Sequence, residues 1–189
     1  MNSNQLAFYV DTTKCINCRT CEIACKDINQ ADPGQRLRKV RTIEGGEFPN
    51  VYVYNVSMSC NHCEDPACVK VCPAKAYTKR VEDGLVVHDP ERCIGCKYCT
   101  WACPYGAPQF SAASGKVKKC NMCLENIKDG EQPACVSACP MRAIEVGKLS
   151  DFANRPGATI SIRHIPSPET TNPSSRFKVK PEAIKGGNA

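Results

Sequence analysis

Sixteen of the 189 residues are cysteine, and they fall into four groups of four. Cys15, Cys18, Cys21 and Cys25 are spaced x2, x2, x3. Cys60, Cys63, Cys68 and Cys72 are spaced x2, x4, x3. Cys93, Cys96, Cys99 and Cys103 repeat the first spacing, and Cys120, Cys123, Cys135 and Cys139 are spaced x2, x11, x3. Every group opens with C-x2-C and closes with C-x3-C. Thiols at this density form disulfides, hold zinc, or hold iron–sulfur clusters.

The run "CIGCKYCTWACP" separates these chemistries. C-x2-C-x2-C-x3-C-P is the spacing in which three thiolates grip one [4Fe–4S] cluster and the fourth reaches a neighbour. Structural zinc sites instead pair two C-x2-C knuckles across a longer loop. Disulfides need an oxidising compartment. "MNSNQLAFYVDTTK" carries neither a basic-then-apolar leader nor twin arginines, and it reads as the start of a chain made in a reducing cytosol. Sixteen thiolates make four tetrathiolate sites with none left over, which implies four [4Fe–4S] clusters.

A second repeat runs in phase with the first. "CPAKA", "CPYGA" and "CPMRA" begin at Cys72, Cys103 and Cys139 and share C-P-x-x-A. Pro73, Pro104 and Pro140 lack a backbone donor and turn the chain where a short helix ends. Ala76, Ala107 and Ala143 are small enough to let backbone lie close to a cluster. Gly95 can take the positive φ that a loop over inorganic sulfide requires, and successive amides in such loops suit an anion.

The elements must then bring the groups together. Between Cys72 and Cys93, "AYTKRVEDGLVVHD" reads as strand, Asp83-Gly84 turn, strand. Two cysteine groups joined by a hairpin make a two-cluster ferredoxin unit, so groups two and three pair and groups one and four enclose them. With the fourth cysteine swapped, Cys15, Cys18 and Cys21 take Cys139, and Cys120, Cys123 and Cys135 take Cys25. Likewise Cys60, Cys63 and Cys68 take Cys103, and Cys93, Cys96 and Cys99 take Cys72.

The expected class is α+β: two nested bacterial-ferredoxin-like units with short helices, hairpins and many loops, plus an extended C-terminal arm. Residues 1–36 with 110–150 form the outer unit, 37–109 hold a hairpin and the inserted unit, and 151–189 are the arm. Leu6 to Val10 is a strand and Arg19 to Asn29 a helix carrying Cys21 and Cys25. Strands at Leu37 to Ile43 and Val51 to Met58 flank an "EGGE" turn. Beyond Asp151 the chain is rich in Pro, Ser, Thr and Asn, and "IPSPETTNPSS" reads as an arm on a partner subunit or as a disordered tail.

Other residues are secondary. Trp101 lies between Cys99 and Cys103, displaces no ligand, and is expected beside the cluster, excluding water. His62 in "CNHC" is a surface or hydrogen-bonding residue, since the ligand count is complete without it. Lys14, Arg19, Arg92, Lys97, Lys118 and Lys119 adjoin ligands. Most read as solvated loop cations, although one facing a cluster would raise its potential. The net charge of +6 is scattered, without the basic stripe and stacking aromatics of a nucleic-acid binder. No stretch approaches the roughly 20 apolar residues of a membrane span. With no nucleotide, hydrolase or zinc-protease motif, the chain reads as a conductor of electrons rather than an enzyme.

"CINCRTCEIACKD", "SCNHCEDPACVKVCP", "CIGCKYCTWACPYGAPQ" and "PACVSACPMRAIEVG" resemble the four-cluster electron-transfer subunit of the anaerobic dimethyl sulfoxide reductase family of molybdenum oxidoreductases, over roughly residues 5 to 150. "FKVKPEA" near the end fits as well. The resemblance implies a molybdopterin catalytic subunit on one side and a quinol-oxidising membrane anchor on the other. It would place the Cys15/Cys18/Cys21/Cys139 cluster toward molybdenum and the Cys93/Cys96/Cys99/Cys72 cluster toward quinol. It also implies a peripheral, membrane-associated location through partners, with export in complex. Polysulfide, thiosulfate, tetrathionate, selenate and formate enzymes use similar chains, and a free ferredoxin-like carrier is the alternative outside that class.

Overall fold

The structure, a computed structural model, describes residues 3–184. Strand β1 (Leu6–Asp11) is its centre. Phe8 and Val10 point to the main core, while Ala7 and Tyr9 point the other way, onto Leu149 and Phe152. Such period-two alternation buries both faces of the strand. Helix α6 (Leu149–Ala153) supplies that second layer. Each fully buried Val or Phe here stabilises by roughly 2 kcal/mol.

β1 joins the two ends of the chain. Strand β8 (Ile144–Lys148) runs antiparallel to it, with Leu6 opposite Lys148 and Val10 opposite Ile144. Strand β10 (Arg176–Lys178) runs parallel on its other side, Tyr9 opposite Arg176, and β9 (Ala158–Thr159) completes the order β8-β1-β10-β9. The segment entering the first cysteine group is thus hydrogen-bonded to the segment leaving the fourth.

Three hairpins link the groups in sequence. β4 (Tyr77–Lys79) and β5 (Val86–His88) pair between groups two and three, as the sequence predicts. Gly84 sits in their turn at φ +67°, where a Cβ would meet the Gln5 side chain at 2.1 Å. β6 (Gln109–Phe110) and β7 (Val117–Lys118) pair between groups three and four. β2 (Lys39–Glu47) and β3 (Asn50–Met58) pair between groups one and two.

Two expectations are corrected here. "EGGE" is not a turn: Glu44 to Glu47 continue β2, and the reversal falls at Phe48-Pro49 with Glu47 opposite Asn50. Proline lacks the ladder's N–H, and Gly45 is in the strand because Tyr52 covers it, its hydroxyl 2.6 Å from where a Cβ would stand. The C-terminal arm, for which a disordered tail was one reading, is ordered through residue 184 and packs on the molecule's own body. Ile162, Ile165 and Phe177 enter the main core. The Ser174 amide donates to the Asn61 carbonyl at 3.0 Å and its hydroxyl to the His62 carbonyl at 3.0 Å. Its polar sequence had no periodicity because it is pinned by backbone hydrogen bonds and a few isolated apolar anchors.

Candidate metal centres

Five short helices carry or follow ligand-type cysteines. α1 (Thr20–Ile28) bears Cys21 and Cys25 and packs on α5 (Ala134–Ser137), which bears Cys135. α2 (Ala67–Lys70) bears Cys68 and packs on α3 (Tyr98–Ala102), which bears Cys99. α4 (Leu124–Lys128) follows Cys123 directly. The α1/α5 and α2/α3 pairs unite groups one with four and two with three.

Within these pairs the thiols gather around cavities. Cys15, Cys18, Cys21 and Cys139 line one. Cys60, Cys63, Cys68 and Cys103 line a second, and Cys72, Cys93, Cys96 and Cys99 a third. Cys25 stands with the remaining trio: the thiols acting on it are Cys120, Cys135 and Cys123. Each gathering joins three cysteines of one group with one cysteine of another. Among the described residues, no three His, Cys, Asp or Glu side chains converge as a single metal ion demands. The thiols surround a space, as a cluster with a body of its own requires.

Electrostatics calls for a bound metal at these thiols. Burial pushes the thiols of Cys63 and Cys68 up to about 12 and that of Cys120 to about 11. Cys25 is raised further, by burial first and then by the neighbouring thiols. Protein surroundings alone leave these groups protonated at neutral pH. Only a bonded cation converts them to thiolates.

The backbone is shaped to the same end. The residue before the second cysteine of every group has positive φ: Asn17 at 61°, His62 at 44°, Gly95 at 71° and Met122 at 64°. So does the residue before each repeat's alanine: Lys75 at 49°, Gly106 at 62° and Arg142 at 48°. A non-glycine held so costs on the order of 1–2 kcal/mol. Only loops wrapped around something would keep that conformation at every equivalent position. The alanines do more than make room. The Ala76 amide donates to Cys72 Sγ and the Ala143 amide to Cys139 Sγ, each at 3.3 Å, and the Ala107 amide likewise bonds Cys103.

Not every singled-out residue reaches a cavity. Gly95 lines that of Cys93, where a Cβ would fall 2.1 Å from the Gly115 carbonyl. Pro104 lines that of Cys60, whereas Pro73 and Pro140 turn the chain without reaching the walls of theirs. Trp101, expected beside the cluster and excluding water, is 75% exposed and is not among the residues that line the Cys93 cavity. It sits two residues past Cys99 on α3, roughly 200° around the helix, and its ring pairs with Tyr98 at 5.9 Å. His62 is buried rather than at the surface, and its Nδ1 accepts from the Val86 amide at 3.1 Å. Burial, then Lys119, hold it well below the usual histidine range, hence neutral. Lys119 is no solvated loop cation: it is buried, lines the Cys60 cavity and donates to the carbonyls of Val86 and Cys120.

A further repeat was present in the sequence. "PACVKVCP" and "PACVSACP" place Pro66 and Pro133 as N-caps of α2 and α5, each delivering a cysteine two residues on.

The comparisons with known proteins agree with this geometry. The 4Fe-4S dicluster domain family matches residues 51–149 and a 4Fe-4S binding domain matches 12–30. The sequence is 42% identical to the probable anaerobic dimethyl sulfoxide reductase chain YnfG of Escherichia coli K12, covering 96% of this protein and 91% of that one. A chain of anaerobic dimethyl sulfoxide reductase from the same organism is 41% identical over the same shares. A subunit of sulfite dehydrogenase from Allochromatium vinosum is 38% identical over 84% of this protein and 73% of that one. With four thiol-lined sites of iron–sulfur type and this degree of identity, the protein belongs to the 4Fe-4S dicluster family that includes these chains of anaerobic dimethyl sulfoxide reductase.

Proposed function

We propose that this chain is the electron-transfer subunit of a molybdopterin-dependent reductase complex of the dimethyl sulfoxide type, seated between the catalytic subunit and a membrane anchor that oxidises quinol. Cys15, Cys18, Cys21 and Cys139 hold one [4Fe–4S] cluster, Cys25, Cys120, Cys123 and Cys135 the next, Cys60, Cys63, Cys68 and Cys103 the third, and Cys72, Cys93, Cys96 and Cys99 the last. Each cluster, when bound, supplies a one-electron couple. Within the described residues, those up to 36 and 110–150 form the outer unit, 37–109 the hairpin and inner one, and 151–184 the arm. The chain transforms no substrate itself. It has no helix long and apolar enough to cross a membrane among the described residues, and its attachment is through the anchor.

The observation that carries this reading is the difference between end and middle sites. The residue after the first cysteine is Ile16 in group one and Ile94 in group three, 60% and 69% exposed. Ile23 and Met141 are exposed near the first, Tyr98 and Trp101 near the second. In groups two and four that residue is asparagine, followed by His62 and Met122, each 1% exposed. At the two middle sites these loop side chains are buried, and the two end sites present apolar side chains that suit partners. The first end faces the molybdopterin subunit and the second the anchor.

Anaerobic affinity purification of the full chain from its native cells tests this. Expected are about sixteen iron and sixteen sulfide per chain, with a molybdopterin protein bound. Ile16→Glu/Ile23→Glu releases the catalytic subunit, and Ile94→Glu/Trp101→Glu releases the anchor. A fully loaded chain that purifies alone makes it a free carrier instead, and a chain with little iron removes the reading.

A further inference from the structure

Arg38, just before β2, is the largest side chain to be fully enclosed, 1% exposed. Its Nη1 donates to Ser57 Oγ at 3.1 Å and its Nη2 to Ser59 Oγ at 3.0 Å, while Nε has no partner. Its guanidinium lies 4.4 Å from the centre of the Phe8 ring. A charge this deep requires an opposite charge nearby, since neutral hydroxyls and a ring face do not offset its lost hydration. The neighbouring Arg36 pairs with Glu22. The groups whose charges act most on Arg38 are all cysteines: Cys135, Cys120, Cys21 and Cys25. One belongs to the first cluster and three to the second. Ser57 Oγ, which accepts from Arg38, also lies 3.4 Å from Cys21 Sγ, so its hydrogen is free to point at that sulfur.

We propose that Arg38 is the fixed counter-charge of the clusters held by Cys15, Cys18, Cys21 and Cys139 and by Cys25, Cys120, Cys123 and Cys135, a positioning residue that raises the potentials of these two and not of the others. Reduction adds an electron to an already anionic group, and a buried cation favours the more negative state. The dry surroundings let that single charge act at close to full strength.

The inference rests on the clusters being present, which iron and sulfide content establishes separately. The test is a potentiometric titration of the anaerobic, fully loaded chain followed by electron paramagnetic resonance, with the two signals identified by their absence in Cys18→Ala and Cys123→Ala. Arg38→Met is expected to shift those two midpoints negative and leave the other two in place. Unchanged midpoints, or an equal shift of all four, overturn the assignment. Should Arg38→Met fail to accumulate, two charge-keeping variants decide. Arg38→Lys and the Ser57→Ala/Ser59→Ala double variant are expected to retain four clusters near wild-type potentials. If Arg38→Lys loses clusters as Arg38→Met does, the hydrogen-bond fork matters and the charge does not.

Discussion

Cys60 and Cys120 are neighbours across the junction of the two nested units, close enough for the charge of one to raise the pKa of the other. Cys21 and Cys135 are related in the same way one step earlier, and Tyr77 stands between Cys68 and Cys99 one step later. The four sites therefore form a file. Lys119 occupies the central junction, its Nζ 2.8 Å from the Cys120 carbonyl and on the wall of the Cys60 cavity. Lys119→Met is expected to lower the midpoint of the Cys60-side cluster by on the order of 80 mV, because one charge some ångströms away at an effective dielectric of ~20 is worth about 2 kcal/mol. A midpoint that does not move shows that its charge is screened.

The proposed swap of fourth cysteines makes an unusual prediction about pairs of variants. Cys18→Ala and Cys139→Ala lie at opposite ends of the chain but line one cavity. Each is expected to cost about a quarter of the iron, and the double variant no more than either single. Cys25→Ala should behave as Cys120→Ala does, and not as Cys18→Ala, its own group. Additive losses in the Cys18/Cys139 double variant break the pairing.

Gly95 and Gly106 both have positive φ, yet they differ in surroundings. A Cβ at Gly95 collides with the Gly115 carbonyl, while at Gly106 nothing lies within 4 Å. Gly106→Ala is expected to cost about 1 kcal/mol, the backbone term alone. Gly95→Ala adds a clash that backbone must yield to, roughly 3 kcal/mol or more in total, together with loss of the cluster that Cys93, Cys96 and Cys99 hold. Chemical denaturation with absorbance of the clusters as the probe measures both.

Ligand spacing was legible in the sequence because it is local: C-x2-C loops and C-P-x-x-A turns are set within five residues. The hairpin at Gly84 followed from the Asp-Gly pair between two short apolar runs. What sequence could not show was which way a side chain faces in irregular backbone. The exposure of Trp101 and the burial of His62, which does form the hydrogen bond expected as one of its two readings, could not be read because gaps of two or three residues between ligands have no period. Arg38 lies in "QRLRKVRT", where four cations look alike. The fold buries one of them. The arm was unreadable for a related reason: its hold on the body is backbone hydrogen bonding, to which composition is blind.

That hold predicts a measurable coupling. Phe177 is buried where β10 runs beside β1, and Phe177→Ala is expected to cost about 3–5 kcal/mol. Limited proteolysis of the loaded protein should spare residues 151–184 in the wild type and cut there in the variant. A wild type trimmed readily at residue 160 contradicts the arm's place in the core.

Removing the iron tests how far the fold depends on its clusters. Six cysteines belong to the main core, and aromatic residues are only 6% of the chain, so chelation leaves cavities where a small protein can least tolerate them. Stripped protein is expected to lose most of its cooperative melting. Arg38 adds a sign to this. Without anionic clusters its charge is buried and uncompensated, a situation that costs about 3–5 kcal/mol when one partner of a buried pair is removed. Arg38→Met is therefore expected to act in opposite directions: fewer clusters retained in loaded protein, and more residual structure by circular dichroism once the iron is gone. A loss in both states points to packing around Phe8 as the reason for Arg38, with the charge incidental.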